Sequence, residues 1–205
     1  MVAHGTTYGV ALNDRVERSV LSLQFTENPY LVPPLAPVVY IKPRSTHRLH
    51  GATVPVPSGV AVLEVAPTLA LLFGRDSASD GIAGVAACCL ALDVAVPGAN
   101  YYRPAVPQRC ADGFLPLGGL AAPILPTEIV TFIDGEEAHR WELSRLYRTP
   151  AELVNELTAF MTLRAGDLLL VGLPGDAPPA RPGQTLRVQA EGLPDLVTHL
   201  VQEAV

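Results

Sequence analysis

Short apolar runs separated by turn-forming residues constrain the fold of this chain most. The runs are rich in Val, Leu and Ile and are bounded by Pro, Gly, Asp or Asn; they are Tyr8–Leu12, Val38–Ile41, Val60–Val65, Leu69–Phe73, Val85–Val96, Ile129–Ile133, Leu168–Val171 and Leu186–Ala190. Such runs are typical of β-strands, and the 20 Pro and 17 Gly supply turns between them. The pair Asp134-Gly135 marks one hairpin turn. The sequence therefore predicts a mainly β fold of the α+β class, a sandwich or roll.

Length, charge and hydropathy narrow the class of protein. With 205 residues, of which 49% are hydrophobic, we expect one folded domain over residues 1–205, with residues 1–37 forming a first strand and a possible lid. The net charge is −6 and the arginines are scattered, which argues against a nucleic-acid partner. No apolar run reaches the roughly 18 residues of a membrane span. The first residues show no signal-peptide pattern, so we expect a cytoplasmic protein without a membrane partner.

Two helices are predicted. The clearer one is Pro150–Met161, because Thr149 is a natural N-cap and Glu152 completes a capping box. The other lies around Asp14–Gln24 and is either a mobile cover over a pocket or a surface helix. Asn13 is interpreted as its N-cap or as a substrate contact.

A carboxylate inside an apolar strand marks the candidate site. Asp93 sits in the run LALDVAVP, which leads into a turn and then to Arg103, Arg109 and Asp112. Because a buried carboxylate is costly unless a cation, a metal or a hydrogen-bond donor answers it, this segment predicts the floor of a polar pocket. The alternative is an acid that caps the following turn.

Lys42 is the only lysine among fourteen basic residues. Because all the other basic residues are arginines, a lysine here indicates a position that requires a compact ammonium group rather than a guanidinium group. The alternative is a single chance lysine at a strand end.

Six motifs in order resemble the fumarylacetoacetate hydrolase family over nearly the whole chain. They are GVALN (Gly9–Asn13), YIKPRST (Tyr40–Thr46), LALLFGR (Leu69–Arg75), LALDVAVP (Leu90–Pro97), ADGFLPLG (Ala111–Gly118) and LRAGDLLLVGLPG (Leu163–Gly175). The resemblance implies a β-roll of mixed sheets with a few short peripheral helices, usually dimeric. It also implies chemistry on 2-oxo acids and related enols, usually with Mg²⁺, Mn²⁺ or Ca²⁺.

The family's metal signature is degenerate here. Its Glu-x-Glu pair is replaced by Ala66-Pro67-Thr68, and only Asp93, the third ligand, is retained. Glu64 shares the face of Ala66 if the strand is regular, so a shifted metal site at Glu64 and Asp93 is a weak alternative. Pro67 is expected to disturb that regularity. We therefore assign no cofactor, although Mg²⁺ or Mn²⁺ is typical of the family.

Other family positions also differ. The lid motif of the family carries a His where this chain has Glu17. The family's Lys before its Phe-Asp motif is replaced here by Arg109. The Thr-Gly-Thr-Pro loop of the family is Val171-Gly-Leu-Pro174, which lacks both hydroxyls.

Within the family, YYRPA (Tyr101–Ala105) and RCADGF (Arg109–Phe114) are most similar to one subgroup. This is the N-terminal half, or separate subunit, of the bifunctional isomerase/decarboxylase of homoprotocatechuate (4-hydroxyphenylacetate) degradation. The resemblance implies a 2-oxo carboxylate substrate, either 5-carboxymethyl-2-oxo-hex-3-ene-1,7-dioate or 2-hydroxyhepta-2,4-diene-1,7-dioate. The candidate residues then divide by role: the substrate-binding residues are Lys42, Tyr102 and Arg103, and the catalytic residues are Asp93, Arg109 and Asp112.

In this scheme Asp93 and Asp112 carry protons, which requires burial to raise their pKa values, and Arg109 also holds a substrate carboxylate. Without a metal, the cations must stabilise the enolate.

Two further functions stay open at this stage. The lost metal and lid residues favour a catalytically silent subunit that supports a metal-bearing paralogue, in a homodimer or a heterodimer. A plugged pocket would favour that alternative, and an open one would favour the enzyme. A metal-independent acylpyruvate hydrolase also fits the family, but the sequence offers it no nucleophile–base pair.

Overall fold

The computed structural model describes residues 5–28, 31–98 and 106–203. In those ranges the strands are β1 (Thr7–Ala11), β2 (Val38–Lys42), β3 (His47–Leu49), β4 (Thr53–Val56), β5 (Leu63–Phe73), β6 (Val85–Ala95), β7 (Leu115–Leu117), β8 (Glu128–Ile133), β9 (Glu136–Glu142), β10 (Leu168–Leu170), β11 (Pro179–Ala180), β12 (Thr185–Gln189) and β13 (Leu196–Gln202). The α-helices are α1 (Arg15–Val20), α2 (Ser77–Asp80), α3 (Val106–Arg109) and α4 (Pro150–Thr158). Single 3₁₀ turns lie at Gln24–Thr26, Arg44–Thr46, Gly81–Gly84 and Leu143–Arg145.

The strands form two mixed sheets, as predicted. The larger sheet has the order β2-β1-β10-β5-β6-β7-β3, with β11 paired to one end of β5. The smaller sheet has the order β4-β13-β12-β8-β9. Parallel pairs (β1 with β10, β3 with β7, β4 with β13) occur among antiparallel ones. One hydrophobic core cluster takes side chains from both sheets and from α4, including Leu63, Leu90, Leu186 and Leu153.

The larger sheet is rolled so that its two ends meet. β2 and β3 stand at opposite ends of the strand order, yet only residues 43–46 separate them in sequence. Five residue steps span at most about 18 Å, whereas six strand spacings in a flat sheet would span about 29 Å. The chain can make this connection only if the sheet curls, which brings the end of β2 against β6 and the start of β7.

β5 is one continuous strand where the sequence predicted two runs, Val60–Val65 and Leu69–Phe73. The expectation that Pro67 disturbs it is wrong, because the pairing with β6 keeps its register from Glu64 to Leu72. On its other side, β5 pairs with β11 and β10 only near its two ends. The missing N–H of Pro67 points into the gap between those partners, so no ladder hydrogen bond is lost.

The helices and the hairpin agree in part with the sequence predictions. α4 begins at Pro150 with the predicted capping box between Thr149 and Glu152, and it ends at Thr158. The predicted Asp134-Gly135 turn is confirmed: it joins β8 to β9 with positive φ values of 53° and 93°, as a type I′ turn requires. No helix in the described ranges is long and apolar enough to cross a membrane.

The prediction that Asn13 caps α1 is wrong. Asp14 is the N-cap, and its carboxylate accepts a hydrogen bond from the Val16 N–H at 2.8 Å. Asn13 is buried and binds outside the helix, because its amide donates to the carbonyls of Arg148 and Val171 and accepts from the Arg148 N–H. It therefore fastens the end of β1 to the loops beside it.

Candidate active site around Asp93

Asp93 lies on β6 inside the roll, and its side chain is fully buried. Lys42 and Arg109 both contact its Oδ1, at 2.9 and 3.1 Å, and the Tyr40 hydroxyl donates to its Oδ2 at 2.5 Å. The expected polar centre exists: two cations form ion pairs with the carboxylate, and a phenol donates a hydrogen bond to it. The alternative of a simple turn cap does not describe this arrangement.

Lys42 stands at the end of β2 and is fully enclosed. Besides Asp93, its Nζ donates to the carbonyls of Val94, Arg109 and Phe114 at 3.1, 2.5 and 3.1 Å. Burial lowers the pKa of Lys42, while the nearby Asp93 carboxylate opposes that shift. An ammonium has three protons, and four acceptors already surround this one. Lys42 therefore joins three segments of the roll, and the structure does not bring it to a surface where substrate could bind.

Tyr40 reaches Asp93 because Gly9 lies directly opposite it in the β1–β2 pair. A Cβ on Gly9 would lie 2.1 Å from Cζ of the Tyr40 ring, so only glycine lets the ring lie across β1. Burial, and then the Asp93 charge, raises the pKa of Tyr40 well above its ordinary value. The phenol therefore stays protonated and donates. Sequence reasoning did not assign Tyr40 a role, although Gly9 and Tyr40 both lie in quoted motifs.

Arg109 ends α3 and is the exposed member of the cluster. Its side chain is 26% exposed, whereas those of Lys42 and Asp93 are fully buried. Burial lowers the pKa of Arg109, but Asp93, Tyr40 and Glu64 together outweigh that effect and raise it. Only Nη1 contacts Asp93 among the described residues. Within the described ranges the other guanidinium nitrogens make no hydrogen bond, so they can bind a ligand carboxylate.

Glu64 shares the Asp93 face of the sheet, as the regular strand requires. Ala66 pairs with Asp93, and Glu64 lies two residues before it on β5. Burial raises the pKa of Glu64, Arg109 lowers it and Asp93 raises it, so the three charges act on one another.

This donor set does not fit a divalent cation. Both Asp93 oxygens are engaged, Ala66 offers no ligand, and the Thr68 hydroxyl donates to the Gly172 carbonyl at 2.6 Å. In the described ranges, no group of three Asp, Glu, His or Cys side chains could hold a metal ion. The weak alternative at Glu64 and Asp93 thus has two carboxylates, one of them already neutralised by Lys42 and Arg109.

Glu17 lies on α1 and packs against the loop after β10. A Cβ on Gly175 would lie 2.4 Å from Cβ of Glu17, so the carboxylate stem packs directly against that glycine. Its Oε2 is buried without a hydrogen-bond partner among the described residues. Burial raises the pKa of Glu17 to about 7; Asp14 and Glu64 also raise it, and Arg109 lowers it. Sequence reasoning noted Glu17 only as a departure from the family lid.

The remaining predicted site residues are not brought to this cluster by the described structure. Asp112 is exposed, so it lacks the burial that its role as a proton carrier required. Tyr102 and Arg103 lie outside the described residues, and their roles stay predictions. The sequence therefore located the centre, Asp93 with Lys42 and Arg109, but not all the groups around it.

Comparisons with known proteins agree with this fold. The family model for the Fumarylacetoacetate (FAA) hydrolase C-terminal domain matches residues 6–201. The 4-hydroxyphenylacetate degradation bifunctional isomerase/decarboxylase of Salmonella dublin is 39% identical over 97% of this chain and 48% of its own length. The protein of that name from Escherichia coli is 38% identical over the same shares. The chain thus spans about half the length of these relatives.

Solved structures share the architecture. A 5-carboxymethyl-2-hydroxymuconate delta-isomerase from Mycobacterium smegmatis superposes with a TM-score of 0.83 at 22% identity, covering all of this chain and 81% of that one. A fumarylpyruvate hydrolase from Pseudomonas aeruginosa, solved with Mn²⁺ and pyruvate, gives 0.82 at 20% identity over 98% of this chain and 95% of that one. At these identities the likeness concerns the fold. Together, the family match and the relatives show that the chain belongs to the fumarylacetoacetate hydrolase family.

Proposed function

We propose that this chain is an isomerase/decarboxylase subunit of 4-hydroxyphenylacetate degradation. Its substrate is 5-carboxymethyl-2-oxo-hex-3-ene-1,7-dioate, or 2-hydroxyhepta-2,4-diene-1,7-dioate formed by its decarboxylation. The observation that supports this most is the 38–39% identity to proteins of that activity over 97% of the chain. The prediction that it corresponds to the N-terminal half of those relatives rests on YYRPA and RCADGF.

The geometry supports a role for Arg109 as the group that meets substrate. Its guanidinium is partly exposed at the edge of the cluster, and a fork of this kind binds carboxylates in a bidentate manner. The ion pair with Asp93 orients the Arg109 guanidinium. Lys42 and Tyr40 bind Asp93 by an ion pair and a hydrogen bond. A fixed positive charge at this place stabilises the enolate that forms when a C–C or C–H bond of the substrate breaks.

The proposed reaction is independent of a divalent cation, because the residues present do not fit one. Purified chain is treated with a chelator and assayed by the loss of ultraviolet absorbance of the unsaturated substrate, with and without added Mg²⁺ or Mn²⁺. We expect equal turnover in both conditions. Arg109→Ala is expected to lower kcat/KM by about 10²-fold, since a charge-assisted hydrogen bond of about 2–3 kcal/mol is lost. The matched control is Arg44→Ala, an exposed arginine next to Lys42.

A catalytically silent subunit is the second proposal. It is favoured by the full enclosure of Lys42 and by the exposure of Asp112, which leave fewer groups for chemistry. The same assay separates the two. Turnover that appears only when a metal-bearing paralogue is added identifies the silent subunit and a heterodimer, and turnover that depends on added metal contradicts the cation-independent mechanism.

A further inference from the structure

The proposed function assigns no role so far to the carboxylic acid of Glu17, on α1. Asp14 caps α1, accepts two hydrogen bonds from Arg145 at 3.2 and 2.5 Å, and accepts one from the Gly175 N–H at 3.2 Å. These contacts fix the first turn of α1 against the loop after β10. Glu17 is thereby pressed onto Gly175, with Oε2 buried and unpartnered among the described residues.

The groups around Glu17 define what this acid can do. Besides burial, Asp14 on its own segment and Glu64 on β5 raise the pKa of Glu17, whereas Arg109 on α3 and the Leu12 backbone lower it. Asp14 is paired with Arg145, and Arg109 is paired with Asp93. Gly175, on which Glu17 packs, lies in the loop that leads to Pro179, and Pro179 pairs with Glu64 beside the Asp93 cluster. Glu17 thus packs on a loop that leads to this cluster, and no ion pair joins it to a cation among the described residues.

We propose that Glu17 is the general acid that delivers a proton to the dienolate formed next to Arg109; this rests on the proposed function. In the isomerisation, the enol O–H bond of the 2-hydroxy diene breaks and its proton passes to water. The pair left on oxygen forms the C2=O bond, the C2=C3 pair moves to C3=C4, and the C4=C5 pair forms a C5–H bond with the proton of Glu17. Water then returns a proton to the Glu17 carboxylate. The product is the 2-oxo-3-ene isomer, and no atom is gained or lost.

A predicted pH dependence follows. The pKa of Glu17 is raised from 4.5 to about 7, so the acid form persists through pH 6. Turnover is expected to be constant below about pH 7 and to fall tenfold per pH unit above it. Glu17→Gln cannot donate an acidic proton, and we expect a loss of about 10²–10⁴-fold in kcat together with loss of the break near pH 7. The matched control is Glu27→Gln, an exposed glutamate of the same segment.

A titration tests the group without any substrate. In protein labelled with ¹³C at the glutamate side-chain carboxyls, a resonance absent from Glu17→Gln is expected to titrate near pH 7. Titration of that resonance near pH 4.5 overturns the proposal, and so does turnover by Glu17→Gln within twofold of the unmodified chain.

A third measurement separates this proposal from the proposed function. If the unmodified chain turns over neither of the two proposed substrates, the proposed function fails, and hydrogen–deuterium exchange at C3 of 2-oxoadipate is followed by proton NMR. Exchange that Glu17→Gln loses keeps the acid role on a different 2-oxo dicarboxylate. Absence of exchange with the unmodified chain overturns the role of Glu17 as well.

Discussion

At the scale of single residues, Gly9 and Tyr40 behave as one unit. The missing Cβ of Gly9 makes room for the ring, and the ring delivers its hydroxyl to Asp93. Tyr40→Phe removes one donor from a fully buried carboxylate, so we expect a loss of about 1–3 kcal/mol in the free energy of unfolding, measured in urea. Gly9→Ala is expected to cost more, because it displaces the whole ring.

The double variant tests whether the two residues act together. Both single changes lose the same hydrogen bond, so Gly9→Ala/Tyr40→Phe is expected to cost less than the sum of the two. Strict additivity would show that the ring does not depend on Gly9. The control is Tyr147→Phe, a 40% exposed tyrosine whose hydroxyl makes no hydrogen bond in the described ranges.

At the scale of elements, the capping box at the start of α4 contributes to the stability of the protein. The Thr149 hydroxyl accepts from the Glu152 N–H, and the Glu152 carboxylate accepts from the Thr149 N–H at 2.7 Å. These contacts satisfy two groups that the helix leaves open. Thr149→Ala is therefore expected to lower the free energy of unfolding by about 1 kcal/mol and Tm by about 2–4 °C in calorimetry.

The control for this prediction is Ser58→Ala, an exposed turn residue outside any helix. An equal change in Tm for both variants would contradict a specific capping effect.

At the start of α1 the local sequence did not identify the N-cap, because Asn13 and Asp14 are both residue types that favour this position. The Asn13 amide donates to the buried carbonyls of Arg148 and Val171, so Asp14 accepts from the Val16 N–H as the N-cap.

At the scale of the whole molecule, Lys42 fastens the rolled sheet. It links β2 to β6, to α3 and to the start of β7 through one carboxylate and three carbonyls. Lys42→Met keeps most of the side-chain volume and removes the charge. The fully buried Asp93 then keeps only the partly exposed Arg109 as a counter-charge, and three carbonyls lose their donor, so we expect a loss of about 3 kcal/mol in the free energy of unfolding.

The free energies of unfolding of Lys42→Met and of the control variant Arg44→Met, measured in urea, test this prediction. Arg44 is exposed within the same short link, so its substitution is expected to change the free energy of unfolding by less than about 0.5 kcal/mol. Equal stabilities of the two variants would show that the ends of the sheet are held by other contacts.

The sequence by itself determined the features that a few neighbouring residues encode. These are the strands β1, β2, β6, β8, β10 and β12, the start of α4, the turn at Asp134-Gly135 and the presence of a charged centre at Asp93. Each follows from local propensity, alternation or backbone conformation, and none requires a distant partner.

Only the tertiary structure decided which groups surround Asp93. Tyr40, Lys42 and Arg109 come from β2 and α3, and they meet β6 because the sheet rolls until its ends touch. Alternation along a strand determines which face a side chain occupies, but not which strand lies beside it or how far the sheet curls. For the same reason, the sequence could not show that Lys42 is enclosed, that Asp112 is exposed, or that Glu17 keeps a buried oxygen free of partners in the part of the chain described.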